Sequence, residues 1–199
     1  MTNKPNLSRL LAFQKLLLAF SQVERVVDRQ HKNGYIREND TEHSYNLAMT
    51  AWFLASHFPR LDQGKVVKFA LAHDLVEVHA GDTYIYADAE LLASKSARKA
   101  AALEQLSQEW PDFPDLIETV RAYEERSSEE AKFVYALDKI MPMMLIYIGE
   151  GHTWKREGIT LQRLHAVKKD KVAVSKDIKP YYDALYDLLL DSPHLIPKS

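Results

Sequence analysis

Apolar residues recur at intervals of three and four along almost the whole chain, and residues that interrupt a helix are rare. There are six glycines and eight prolines among 199 residues. That spacing matches the ~3.6-residue turn of an α-helix, so the chain is expected to be all-α. Leu7, Leu10, Leu11, Leu17 and Leu18 mark a first amphipathic helix running to about Val27. A polar segment from Asp28 to Asp40 follows, with a turn signal at Asn33-Gly34. A second helix begins near Thr41, shows Leu47, Ala51, Leu54 and Phe58 on its apolar face, and ends before Pro59. Asp62 can cap a third helix through Val66, Phe69 and Ala70 to Glu77, with Gly81 at its exit. Residues 88–109 are rich in Ala and charge and strongly helix-forming, until Trp110-Pro-Asp-Phe-Pro114 interrupts them. Asp115 can cap a helix through Tyr123. Ser127-Ser-Glu-Glu130 has the form of a capping box, and it opens a helix with Val134, Leu137, Met141 and Leu145 on one side. Pro142 lacks the N–H that would reach the Asp138 carbonyl, so a bend is expected there. Two further helical stretches cover roughly 160–175 and 180–190.

No repeat, low-complexity tract or linker divides the chain, so residues 1–199 are expected to form a single domain with a core large enough to need no staples. A net charge of −2 argues against broad binding to a nucleic acid polymer or an anionic membrane. The absence of cysteine excludes disulfides, thiolate metal sites and cysteine nucleophiles, leaving only N and O donors for any metal. No apolar run approaches the ~20 residues of a membrane span. The N-terminal segment carries Lys4 and Arg9, its apolar Leu16–Phe20 run is preceded by Gln14 and Lys15, and no small-residue cleavage site follows. No signal peptide is expected, and the expected location is cytoplasmic.

The chemistry-bearing residues collect in Phe69-Ala-Leu-Ala-His73-Asp74-Leu-Val-Glu77-Val-His-Ala-Gly81-Asp82-Thr83. On a helix His73 and Glu77 stack on one face, and Asp74 projects about 100° round from His73. An imidazole with a carboxylate beside it and another one turn on suits metal-assisted hydrolysis. His43 shares a face with Leu47, and Asp138 sits on an apolar stripe between Val134 and Met141, where an unpaired carboxylate is costly to bury. His43, His73, Asp74 and Asp138 together offer two imidazoles and two carboxylates to one divalent ion such as Mn, Co, Fe, Ni or Zn. Taken on spacing alone, a bland alternative stands beside this reading: hydrogen-bonded core histidines, and aspartates paired with Arg or a helix N-terminus.

At these residues the chain resembles the HD-domain metal-dependent phosphohydrolases, whose signature is a lone His, then His-Asp, then a distant Asp. Thr41-Glu-His-Ser44, His73-Asp-Leu-Val-Glu77 with Gly81-Asp-Thr83, and Tyr123–Val134 with Leu137-Asp138-Lys139 are similar to the 5′-deoxynucleotidase branch shared by bacteria and eukaryotes. The resemblance covers about residues 8–150. It implies an all-α helical bundle of the HD type, often a homodimer, with one divalent metal on His43, His73, Asp74 and Asp138. It also implies hydrolysis of (deoxy)nucleoside 5′-monophosphates to nucleoside and phosphate by a water held at the metal. Glu77 would orient or deprotonate that water, Asp82 with Thr83 beside it would lie near the sugar, and Arg25, at the end of helix one, would hold the phosphate. Val26 stands where the bacterial enzymes carry a Trp that helps reject the ribose 2′-OH, so deoxy selectivity does not carry over.

Several features are given no part in the site. Arg29 and Arg37 could assist Arg25, although basic loop residues are usually solvated. Dinuclear HD proteins need further histidines before the last Asp, and His79, on another helical face, is expected to be exposed. His73 and His79 have the wrong spacing for a zincin motif, and Gly149-Glu-Gly151 is too weak to mark a nucleotide cradle. The 94–109 stretch and Lys168-Lys-Asp-Lys171 read as solvated faces. Tyr181, Tyr182 and Tyr186 read as packing residues, against the chain or a second subunit. Two alternatives to the monophosphatase remain: a hydrolase of nucleoside di- or triphosphates, and a non-catalytic metal- and nucleotide-binding scaffold.

Overall fold

The computed structural model describes residues 6–197, so Lys4 of the N-terminal reading lies outside the described residues. Helix α1 spans Leu7–Phe20 and is capped by the Asn6 side chain, which accepts from the Arg9 N–H. It does not reach Val27. Val23, Val26 and Val27 favour extended backbone, and the chain turns into a hairpin of β1, Glu24–His31, and β2, Gly34–Asn39. The hairpin turn is Lys32-Asn33, one residue ahead of the Asn33-Gly34 signal, and Gly34, paired with His31, opens β2 at φ +121°, a conformation open to glycine. Asp28 opposes Arg37 and Glu24 opposes Asn39, so between these pairs three residues of β1 face one of β2. Arg25 lies in that irregular stretch, where extra residues re-aim side chains.

Helix α2, Asp40–Ala55, is capped by Asn39 rather than Thr41, in a capping box with Glu42. Asp62 caps α3, Gln63–Ala72, as expected, but the helix stops short of Glu77. Residues 73–76 form a tight turn, closed by the Glu77 N–H donating to the Asp74 carbonyl at 2.8 Å, and α4, Glu77–Ala80, follows. Gly81 ends it at φ +70°. Asp88 caps α5, Ala89–Glu109. Helix α6, Pro114–Glu125, starts with Pro in its first turn; Phe113 occupies the cap position, and Asp115 lies inside the helix. Ser128 caps α7, Glu129–Ile148, which contains Pro142. A short α8, His152–Glu157, was not read from the sequence and precedes α9, Leu161–Val172, and α10, Lys179–Leu190.

Helix α7 is the central element, touching α2, α3, α6, α9, α10 and β1. Its Phe133, Val134, Leu137 and Ile140 lie in the larger core with Leu47 of α2 and Leu164 of α9. A smaller core joins α1, the turn after α3, α5 and α6 through Phe20, Val76, Leu106 and Val120. The His-Asp turn lies where the two cores meet, with Ala70 in the larger and Leu75 in the smaller. Tyr182 is buried within the chain and its hydroxyl lies 2.8 Å from His165 Nδ1, whereas Tyr181 is exposed. Among the described residues no helix is long and apolar enough to cross a membrane.

Candidate active site

Three elements deliver the four expected metal donors to one point. His43 comes from the first turns of α2, His73 and Asp74 from the turn after α3, and Asp138 from the middle of α7. All four are buried, and their donor atoms lie within 4.8 Å of one another. His43 Nε2 is 3.0 Å from Asp138 Oδ1, and His73 Nε2 is 2.9 Å from Asp74 Oδ2 and 3.9 Å from Asp138 Oδ1. The His73 Nδ1–H donates to the Ala70 carbonyl at 2.9 Å, which leaves the Nε2 lone pair facing two carboxylates. Among the described residues this buried Nε2 has no hydrogen-bond partner. Electron-rich atoms held this close are satisfied by a cation between them, and a metal-ligating His ordinarily has its other nitrogen tied to a carbonyl in this way. The donor set therefore fits one divalent ion on His43, His73, Asp74 and Asp138.

Basic side chains already compensate the buried carboxylates of the site. Asp138 is held well below the usual carboxylate range despite its burial, by Lys139 and His43. Asp74 is likewise held well below it against burial, by His73 and Lys99. Glu77, the first residue of α4, is buried; its Oε1 lies 2.9 Å from Lys99 Nζ while its Oε2 has no partner. Burial, then the Asp74 charge, pushes its carboxyl up to about 9. Asp40, with Asp74 and Glu77, forms a second close set of carboxylates. Burial and Asp74 raise Asp40 to about 6.

A cavity of about 550 Å³ opens beside these groups, and Arg25, Glu77, Asp82, Thr83 and Asp138 line it. Arg25 sits on β1, not on a first helix. Its Nη1 is 3.0 Å from Asp40 and 3.3 Å from Asp74, and its Nε is 3.2 Å from Glu38. Thr83 is buried, and its hydroxyl accepts from Arg98 Nη2 at 2.7 Å while Arg98 Nη1 binds the Ala80 carbonyl. Arg29 is drawn to Glu42, and Arg37 faces Asp28 and donates to the Arg25 backbone carbonyl at 3.5 Å.

Other expectations need correction. His79 is half-buried and 3.1 Å from Glu109, not exposed. Lys99 turns inward from the stretch read as solvated, and Lys168 is buried. Glu38, Asp40, Lys99, and Tyr123, whose ring edge packs 5.4 Å from His73, went unread as site residues. Asp40 follows Asn39 at a helix start, where an acidic residue reads as a cap; its partner Arg25 is fifteen residues earlier, and only the hairpin joins them.

Comparison with known proteins gives these residues a family. A model of the HD domain matches residues 22–179, the span that holds His43, His73, Asp74 and Asp138. A mouse (Mus musculus) protein named 5′-deoxynucleotidase HDDC2 is 33% identical over 132 residues, which cover 65% of this chain and 64% of that protein. The human (Homo sapiens) protein of the same name is 33% identical over 132 residues, covering 65% of this chain and 63% of its own length. The match thus spans less than two thirds of these curated relatives. A crystal structure described as a predicted metal-dependent phosphohydrolase from Magnetospirillum magnetotacticum MS-1 superposes with a TM-score of 0.77 at 29% identity. That alignment covers 96% of this chain and 100% of the other. The chain belongs to the HD-domain family.

Proposed function

We propose that the chain is a metal-dependent phosphomonoesterase that converts (deoxy)nucleoside 5′-monophosphates to nucleoside and phosphate. The observation that carries this reading is the convergence of four metal donors, the Glu77 carboxyl and the Arg25 guanidinium on one cavity. The names of the mouse, human and Magnetospirillum proteins support it. A divalent ion on His43, His73, Asp74 and Asp138 would neutralise phosphate charge and acidify water. Arg25 presents a planar fork to phosphate oxygens, and its carboxylate partners hold it in place until the substrate arrives. A divalent ion beside Asp74 would offset the charge that holds Glu77 up at about 9 and free it to take the proton of the attacking water; among the described residues its Oε2 has no partner and is the accepting atom, and Lys99 steadies Oε1. Asp82, on the cavity wall, accepts from a sugar hydroxyl, and Arg98 locks Thr83 beside it. Val26 also lines the cavity and brings a smaller side chain than Trp to the sugar end, which favours acceptance of both sugars.

The test is to measure bound metal and then phosphate release from deoxy- and ribonucleoside monophosphates with Mn, Co, Ni, Mg and Zn. Glu77→Ala should keep the metal and lose turnover by about 10²-fold or more. A variant that turns over at the parent rate would overturn the assigned role, and metal with no release from any nucleotide would instead make the chain a scaffold. The proposal places the protein in the cytoplasm, where nucleoside monophosphates occur. It also makes the protein a homodimer through α1 and α2. Tyr45, Met49, Trp52 and Phe53 share one exposed face of α2, and α1, which touches α2, exposes Leu7, Leu10, Leu11 and Leu18.

A further inference from the structure

The active-site cavity has cations that the proposed hydrolysis does not use. Lys168 and Lys171 of α9 and Lys95 of α5 line the same cavity as Arg25 and Glu77. Lys168 is only 5% exposed, and one of its N–H groups donates to the Lys139 carbonyl at 2.8 Å, leaving two without a protein acceptor. Lys99 and Lys139 are neutralised by Glu77, Asp74 and Asp138, but among the described residues Lys95, Lys168 and Lys171 make no ion pair. Burial and the Lys139 charge pull Lys168 down to about 7, and Lys171 is lowered by burial and by Lys139 and Lys95. The cavity wall formed by α5 and α9 therefore gathers Lys95, Lys168 and Lys171, and Asp138, the carboxylate that offsets Lys168 and Lys171, is already paired with Lys139. Beyond Lys171 a second hollow of about 320 Å³ shares Arg126 and Tyr135 with the first and adds Lys132, with Asp170 as its carboxylate.

We infer that the lysine face formed by α5 and α9 is a second phosphate subsite, so that the enzyme prefers a phosphate ester carrying a second phosphoryl group. A sugar hydroxyl needs no cation, and one carboxylate would match only one ammonium group. A phosphoryl group has the charge and the several acceptor oxygens to engage two or three lysines at once. The subsite deepens the phosphohydrolase reading and rests on it: Arg25 and the metal donors hold the group that is cleaved, and the α9 lysines hold the one that is kept. No part of the hydrolytic chemistry changes. What is added is a preference, among the phosphate esters the site accepts, for those carrying a second phosphoryl group.

The experiment compares the metal-loaded full chain with a Lys95→Ala/Lys171→Ala double variant, on deoxyadenosine 5′-monophosphate, 5′-diphosphate and 3′,5′-bisphosphate. Phosphate release and calorimetric binding are both read. The parent should bind at least one doubly phosphorylated ligand about tenfold more tightly than the monophosphate, and the double variant should bring that ratio close to one. A gain with the bisphosphate sets the subsite apart from the scissile group, and a gain with the diphosphate sets it next to that group. Equal binding of all three ligands by the parent, or a ratio unchanged in the variant, overturns the subsite. Absence of release from all three while the binding preference persists counts against the phosphohydrolase reading and leaves the subsite standing. Lys168→Met, being buried, is a second variant; it should also lose the preference, with its fold checked by circular dichroism.

Discussion

One backbone carbonyl sets the chemistry of His73. By accepting from Nδ1, the Ala70 carbonyl chooses the tautomer whose Nε2 is free, and the turn after α3 points that atom at Asp74 and Asp138. His43 is arranged differently: its Nε2 is 3.0 Å from Asp138, and its Nδ1 is 3.6 Å from Glu38. Burial and Arg25 work against a proton there, but the hydrogen bonds to Asp138 and Glu38 outweigh them and raise its affinity for one above the usual 6.5. A metal must displace that proton. Metal affinity is therefore expected to weaken as pH falls, by roughly tenfold per unit for one proton released. Calorimetric titration with Mn at several pH values between 6 and 8 checks this, and a flat profile would show that no such proton is displaced. The His-Asp pair, the lone His and the distant Asp were legible because each was polar on an otherwise apolar stripe. Glu38 and Lys99 were not, because each lies on a stretch that reads as ordinary solvated charge.

The hairpin matters most among the elements, since it carries Arg25 and Glu38 into the site. It is fastened to α8 by Asp28, which is buried and binds His152, Thr153 and Arg156. Tyr35 of β2 stacks on His152 at 3.9 Å and donates to the Gly149 carbonyl. Asp28→Asn should cost about 1–3 kcal/mol, because Arg156 would lose its charged partner but stays partly in water. The Asp28 carboxyl is held below 3.8 by Arg156 and His152 against the effect of burial. Its stabilising contribution is thus present above 3.8 and is lost as pH falls through its lower folded value. Urea unfolding should show the parent more stable than the variant at pH 7 and the gap closing at pH 3; a gap that persists in acid would remove the ion pair as its cause. A looser hairpin should also raise KM by letting Arg25 move. Periodicity found most of the long helices, but it also extended the first through residues 21–27. The valines there satisfy a helical stripe as well as a strand, and only the pairing partner in β2 decides between them.

At the scale of the whole molecule, α1 and α2 present exposed apolar faces. Light scattering should give twice the chain mass, and Trp52→Glu/Phe53→Glu should halve it without loss of helical content; a parent that already runs as a monomer would sink the dimer. The candidate donors His43, His73, Asp74 and Asp138 and the candidate base Glu77 were singled out through a family resemblance, whereas the all-α class and the expected caps at Asp62 and in Ser127–Glu130 could be read in the chain before folding. They depend on local backbone preference and on the spacing of apolar residues, which neighbours in sequence determine. The hairpin, the turn that replaces the end of α3, the carboxylate cage around Arg25 and the inward lysines of α5 and α9 required tertiary structure. Each depends on charges and strands brought together from distant parts of the chain, and whether a lysine meets water or a cavity is decided only when the helices pack.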